Sequence, residues 1–128
     1  MKLPTVEEVL QVHEDVLSDF GGGGEGILDI GRIEAAVARM NAGFGPVELF
    51  PGVFEKAAAL LEALVSNHGF VDGNKRTAIA CAGALLELNG YHLSYGPEEV
   101  VEFALGVAKH EIDLPEIIRW LRGHSRRA

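Results

Sequence analysis

The stretch from Ala78 to Leu86 most constrains the fold of this chain, because it contains no charged or strongly polar side chain. It lies inside a segment from Asn74 to Leu88 that has the composition of a good helix former. A helix that is apolar on every side must be enclosed by other elements. The sequence therefore predicts that this helix is the buried centre of a bundle.

Five amphipathic segments are predicted to surround that central helix. Thr5 and Glu8 form a capping-box pattern at the start of the first, and Asp113 has the position of a helix cap before the last. The predicted ranges are 5–20, 29–40, 52–66, 97–109 and 113–122. Six helices with short connections predict an all-α fold, a single compact bundle.

The length and charge of the chain limit its class. A length of 128 residues predicts one domain, residues 1–128. Nineteen acidic and eleven basic residues give a net charge of -8, which disfavours electrostatic binding to nucleic acid. The exception is a C-terminal arginine cluster, which is more typical of a helix end or a frayed basic tail than of a binding site. Its members are Arg119, Arg122, Arg126 and Arg127.

Three further features bear on location and chemistry. The one cysteine, Cys81, lies in an apolar run and is predicted to be a small buried residue. The N-terminus lacks the apolar core of a signal peptide, and no apolar stretch is long enough to span a bilayer, so we expect a cytoplasmic protein. The run from Gly21 to Gly24 lacks the Gly-Lys-Ser/Thr ending of a P-loop and is predicted to be a flexible connector.

The segment from His68 to Arg76 carries the candidate chemistry. It opens the central helix, whose N-terminus offers unpaired N–H groups and a positive dipole end to an anion. Gly73 lets a phosphate approach the backbone, and Lys75 and Arg76 can neutralise its oxygens. Asp72 supplies a hard oxygen for Mg²⁺, and the imidazole of His68 suits a general base near neutral pH.

Each of these groups also has an ordinary structural explanation when it is taken alone. The histidine can be structural, and the residues after it can be a helix cap and a solvated first turn. Two cations in a first turn oppose the helix dipole, however, and are expected to meet an anion there. The combination therefore favours a phosphate site.

The segment His68-Gly-Phe-Val-Asp-Gly-Asn-Lys-Arg76 resembles the Fic-family signature, His-x-Phe-x-Asp/Glu-Gly-Asn followed by a basic helix start. The approach that begins at Phe54 and the Leu88-Asn-Gly-Tyr exit are similar to the death-on-curing, or Doc, branch. The likeness extends over nearly the whole chain. It implies the Fic/Doc fold, with a short flap loop or hairpin at residues 41–50.

The resemblance also implies a reaction. Fic enzymes that transfer AMP usually have Gly-Arg after the asparagine and a second arginine three positions later, whereas this chain has Lys75 and Ile79 at those positions. That is the Doc-like arrangement, in which the nucleotide lies reversed. It implies that the terminal phosphoryl group of ATP is transferred to a Ser or Thr hydroxyl of a target protein.

Carried onto this chain, the family roles make His68 the catalytic base, Asp72 the Mg²⁺ contact and Phe70 the buried anchor of the loop. ATP and Mg²⁺ are the implied cofactors. Gly69 stands where many Fic proteins have proline, which predicts a less rigid loop. The implied phosphate-binding residues are Gly73, Asn74, Lys75 and Arg76.

The resemblance implies two protein partners in a bacterial cell. The family target is translation elongation factor Tu, whose modification blocks translation. The chain lacks the inhibitory pattern Ser/Thr-x-x-x-Glu-Gly/Asn, since Ser94 alone has a glutamate four residues later and Glu99 then follows. An inhibitor in trans, a Phd-like antitoxin, is therefore implied. The resemblance implies neither direct binding to nucleic acid nor association with a membrane.

Other interpretations stay open. A Fic-type nucleotidyltransferase (AMPylation) would use the same residues, and a non-catalytic Fic-fold module would only bind a partner. The apolar residues of the loop at 41–50 either hold a target segment or cover the core. The remaining histidines are predicted to be surface or packing residues, without the spacing of a metal site. They are His13, His92, His110 and His124.

Overall fold

A computed structural model describes residues 1–19 and 26–128, and this part of the chain contains six helices and four short strands. The helices are α1 (Val6–Asp19), α2 (Ile30–Arg39), α3 (Val53–Asn67), α4 (Asn74–Leu88), α5 (Pro97–Ala108) and α6 (Leu114–Gly123). The strands are β1 (Gly43–Phe44), β2 (Val47–Glu48), β3 (Tyr91–Leu93) and β4 (Ser125–Arg127). The predicted all-α class is confirmed. The predicted end of the first helix and the connector at 21–24 lie outside the described residues.

Side-chain caps begin the helices where the sequence predicts them. The N–H of Thr5 donates to Oε1 of Glu8 at 3.0 Å, and the N–H of Glu8 donates to Oγ1 of Thr5 at 3.2 Å. Asp113 and Glu116 form the same reciprocal pair at the start of α6, at 3.0 and 3.1 Å. Such caps satisfy N–H groups that have no partner within the helix.

The centre of the bundle is shared by two helices. α4 has the predicted bounds and is mostly buried, but Ala80, Gly83 and Ala84 stay half-buried. α3 is enclosed more completely, since every residue from Lys56 to Leu61 is buried. Cys81 is buried as predicted, and desolvation raises the pKa of its thiol to about 12.

The C-terminus forms a strand that the sequence pattern does not predict. β4 pairs antiparallel with β3, with Tyr91 opposite Arg127 and Leu93 opposite Ser125. The guanidinium carbon of Arg127 lies 5.3 Å from the centroid of the Tyr91 ring. The expectation of a frayed basic tail is therefore wrong for Arg126 and Arg127, which belong to this two-stranded sheet.

Both ends of the described chain meet at the turn that follows α4. The N–H of Lys2 donates to Oδ1 of Asn89 at 2.9 Å, and Nδ2 of Asn89 donates back to the carbonyl of Lys2 at 2.7 Å. The N–H of Ala128 donates to the carbonyl of Gly90 at 3.0 Å. Gly90 has φ of +90°, a conformation that favours glycine.

The described helices were compared with the length and apolar content that a membrane span requires. Among residues 1–19 and 26–128, no helix combines the length and the apolar content needed to cross a membrane.

Candidate functional site

The loop between α3 and α4, residues 68–73, is here called the motif loop. It begins at His68, which ends α3 with a left-handed φ of +52°. That conformation costs a residue other than glycine about 1–2 kcal/mol. The carbonyl of His68 lies 3.5 Å from Nη1 of Arg32, while the side chain of His68 is exposed. The backbone is thus turned sharply, and the imidazole faces solvent.

Phe70 anchors the motif loop in the core. It is 1% exposed, as the resemblance implies. Its N–H donates to Oδ1 of Asn74 at 3.0 Å, and Nδ2 of Asn74 donates to the carbonyl of Phe70 at 2.9 Å. The oxygen and the NH₂ group of the buried Asn74 side chain are therefore both bonded to the backbone of the motif loop. Any contact of Asn74 with a phosphate would be made by its backbone N–H.

The motif loop is also tied to the segment before α2. The carbonyl of Gly69 accepts hydrogen bonds from the N–H groups of Leu28 at 2.8 Å and Asp29 at 3.0 Å. A Cβ at position 69 would lie 2.6 Å from Cγ1 of Ile33. α2 therefore packs directly against position 69 and leaves little room for a side chain there, where many Fic proteins have proline. These contacts hold the loop from outside.

One residue of this site was not singled out by the sequence analysis. His13 of α1 is 6% exposed, and its Nε2 lies 2.8 Å from the carbonyl oxygen of Asp72. Its ring stacks on Phe70, with centroids 3.7 Å apart and planes 8° from parallel. A signal was present, since His13 lies four positions after Val9 and four before Leu17, both buried. It is a packing residue as predicted, and it also contacts the motif.

The charged groups of the motif lie together at the start of α4. The helix begins with Gly73 as N-cap, at φ of +81°, and this glycine provides no side-chain cap. Asp72, Lys75 and Arg76 are exposed, and Oδ1 of Asp72 accepts the N–H of Gly73 at 2.8 Å. The uncapped N–H groups and the two cations match the chemistry of a phosphate.

The donor set also fits a magnesium ion that is shared with a nucleotide. The described residues contain no group of three or more His, Cys, Asp or Glu side chains that could hold a metal. Mg²⁺ commonly binds one or two carboxylates together with substrate phosphates. The carboxylate of Asp72, beside the start of α4, is of the kind that meets that requirement.

Comparison with known proteins decides the family. A model of the Fic/DOC family matches residues 3–86. The chain belongs to the Fic/Doc family. Toxin Doc of Mycolicibacterium smegmatis is 40% identical over 121 residues, which cover 91% of this chain and 93% of that protein. Protein kinase doc of Escherichia phage P1 is 34% identical over 116 residues, which cover 91% and 90%. The predicted Doc branch is confirmed.

The flap of this Fic/Doc chain is a hairpin, here called the flap hairpin, residues 41–50. In it Gly43 pairs with Glu48 and Phe44 with Val47. Phe44 is 77% exposed and Val47 62%, whereas Phe50 is 7% exposed. Covering the core therefore accounts for Phe50, but not for the residues at the tip.

A buried lysine fastens the flap hairpin to the bundle. Lys56 of α3 is 4% exposed, and its Nζ donates to the carbonyl of Met40 and to Oε1 of Glu48, both at 2.8 Å. A buried ammonium is stable only where charge and hydrogen-bond partners surround it. Met40 directly precedes the flap hairpin and Glu48 lies in its second strand, so Lys56 joins the two sides of the hairpin at its base.

Proposed function

We propose that this chain is a Doc-like toxin of a bacterial toxin–antitoxin pair and transfers the terminal phosphoryl group of ATP to a Ser or Thr hydroxyl of a target protein. Its likeness to Toxin Doc supports the toxin, and its likeness to Protein kinase doc supports a transferase. The observation that carries the proposal is the fixed motif loop, which presents His68 and Asp72 beside the uncapped start of α4.

In the proposed reaction His68 takes the proton of the target hydroxyl. The oxygen forms a bond to the terminal phosphorus of ATP, and the bond from that phosphorus to the bridging oxygen breaks to release ADP. The N–H of Asn74 and the cations Lys75 and Arg76 would hold the phosphate oxygens. Gly73, whose own N–H is bonded to Asp72, would let them approach the backbone closely. Mg²⁺ at Asp72 would neutralise charge on the phosphates.

Phosphoryl transfer is favoured over AMPylation by one position of α4. The second arginine of AMP-transferring Fic enzymes corresponds to Ile79 here, and Ile79 is 5% exposed in the core. A buried isoleucine cannot bind a phosphate, so the cationic side chains of α4, Lys75 and Arg76, both lie in its first turn. This supports the reversed nucleotide implied by the Doc resemblance.

The proposed target is elongation factor Tu, and the proposed inhibitor is a Phd-like antitoxin supplied in trans in the cytoplasm. The flap hairpin supports a protein substrate, because its short strands and exposed apolar tip can pair with an extended target segment. A binding module without catalysis would have no need for the exposed base beside a phosphate site.

The test is the intact mass of elongation factor Tu after incubation with the purified chain, ATP and Mg²⁺. We expect a phosphoryl-sized increase, and a rate lower by about 10²–10⁴-fold for His68→Ala, which removes the base. His110→Ala is the matched control, since His110 is exposed and has a left-handed φ of +61°. An AMP-sized increase would establish the nucleotidyltransferase instead, and no change with the wild type would reject this target.

A further inference from the structure

The peptide unit between Asp72 and Gly73 is held at both of its polar ends. Its carbonyl oxygen lies 2.8 Å from Nε2 of His13, and its N–H donates to Oδ1 of Asp72, also at 2.8 Å. A trans peptide is planar, with its C=O and N–H on opposite sides. A group that fixes the carbonyl therefore also fixes the direction of the N–H, and with it the carboxylate.

His13 is well placed to fix that carbonyl. A backbone carbonyl only accepts, so Nε2 must carry the hydrogen, which the Nε2–H tautomer and the imidazolium both supply. The ring cannot turn freely, because it is 6% exposed and lies flat against Phe70. Gly73 lies close to the ring as well, since a Cβ built there would be 3.6 Å from Nε2. The stacking on Phe70 and the burial of the ring therefore restrict where the donor can lie.

We infer that His13 is a positioning residue for magnesium. Its hydrogen bond sets the Asp72–Gly73 peptide, and that peptide holds Oδ1 of Asp72. The other carboxylate oxygen, Oδ2, would then be the one that binds the ion. His13 touches neither nucleotide nor target. The inference rests on the proposed function for its effect on transfer, but its effect on the peptide is independent of any reaction.

Two variants separate the hydrogen bond from the packing. His13→Phe keeps an aromatic ring against Phe70 and removes the donor, whereas His13→Gln restores an N–H donor without the ring. A matched control is His124→Phe, because Nδ1 of His124 lies 2.7 Å from the carbonyl of Trp120 and its ring stacks on Trp120 at 3.9 Å. His124 makes the same kind of contacts far from the motif loop.

The first readout is the amide proton resonance of Gly73, recorded in isotope-labelled protein without nucleotide or Mg²⁺. We expect His13→Phe to move this resonance and His13→Gln to return it toward the wild-type position. The second readout is the Mg²⁺ concentration that gives half-maximal phosphoryl transfer. We expect it to rise about 10-fold in His13→Phe, as for other residues that orient a metal ligand, and to recover in His13→Gln. His124→Phe should leave both readouts unchanged.

Several results would overturn the inference. One is a wild-type Gly73 resonance and Mg²⁺ requirement in His13→Phe; another is an equal change in both variants, which would mean that only the ring matters. A moved resonance with an unchanged Mg²⁺ requirement would separate His13 from the carboxylate. The wild type gives a check without any variant, since the buried Nε2–H of His13 should be a slowly exchanging ring proton close to the Gly73 amide. Loss of transfer in the wild type would reject the proposed function, and the resonance would still decide the role of His13.

Discussion

Helix α3 is flanked by two connections that use burial in opposite ways. The flap hairpin before it exposes 77% of Phe44 and is fastened by the buried charge of Lys56, which is 4% exposed. The motif loop after it buries Phe70 to 1% and exposes its charged residues. One segment is held by a charge and presents apolar surface, and the other is held by an aromatic ring and presents charge.

The difference indicates what each segment meets outside the molecule. A fixed loop with exposed charge suits a small, highly charged ligand whose atoms must be placed accurately. An exposed aromatic tip gains nothing from the fold of its own chain, and its apolar area is available to a partner. Under the proposed function, the motif loop would therefore meet the nucleotide and the tip of the flap hairpin would meet the protein substrate.

The largest difference between the two segments is expected when each aromatic residue is truncated. We expect Phe70→Ala to lower the free energy of unfolding by about 3–5 kcal/mol, because it leaves a cavity and removes the anchor of the loop. Phe44→Ala should change it by less than about 0.5 kcal/mol, because the side chain is exposed. Urea unfolding measures both. Equal losses would mean that the tip of the flap is packed in solution.

The next test addresses the buried charge. Lys56→Met should lower the free energy of unfolding by about 1–3 kcal/mol, because the carbonyl of Met40 loses its buried donor. Urea unfolding is again the measurement, with Lys109→Met, at an exposed lysine, as the control. A stabilised Lys56→Met protein would show that packing, not the charge, fastens the flap hairpin, as happens at some buried ion pairs.

The third test separates backbone strain from chemistry in the motif loop. His68→Gly should raise the free energy of unfolding by up to about 1 kcal/mol, because glycine adopts the left-handed conformation without the penalty, less its own entropic cost. Phosphoryl transfer should be lost at the same time. His110→Gly removes the same left-handed backbone penalty. We expect it to raise the free energy of unfolding by a similar amount and to leave transfer intact. A His68→Gly protein of lower stability would contradict the strain at this turn.

The smallest expected effect lies on the outer side of the lysine. Glu48→Gln should lower the free energy of unfolding by about 0.5 kcal/mol, because the side chain of Glu48 is 52% exposed and its charge is screened. The difference from the wild type should shrink as salt is added. A loss as large as that of Lys56→Met, unchanged by salt, would mean that the pair acts as a buried one.

The sequence predicts the local structure of this chain well. The bounds of α4, from Asn74 to Leu88, and the cap of Thr5 with Glu8 follow from periodicity and capping chemistry, which depend on neighbouring residues. The charged residues that gather at the start of α4 are contiguous in the chain, so the motif also locates the candidate site.

What the sequence misses depends on contacts between distant segments. Periodicity gives the buried face of α1 but not what covers it, so the contact of His13 with Asp72, 59 positions away, has no local signal. The burial of Lys56 is missed for the same reason, because a lysine is expected at the surface unless a partner such as Glu48 reaches it. The pairing of β4 with β3 also joins distant segments, because it forms only where the C-terminus returns to the turn after α4.

The turn at Asn89 and Gly90, which bonds both ends of the described chain, has a practical consequence for experiments on the site. α4 runs from the motif loop to this turn, and fifteen residues of helix span roughly 20 Å at about 1.5 Å per residue. A linker attached at either Met1 or Ala128 would therefore leave the molecule at the far end of that helix. Tethering the protein to a sensor surface through either end should leave the motif loop facing solution, so that binding of ATP with Mg²⁺ can be tested without cutting the chain or moving the tag.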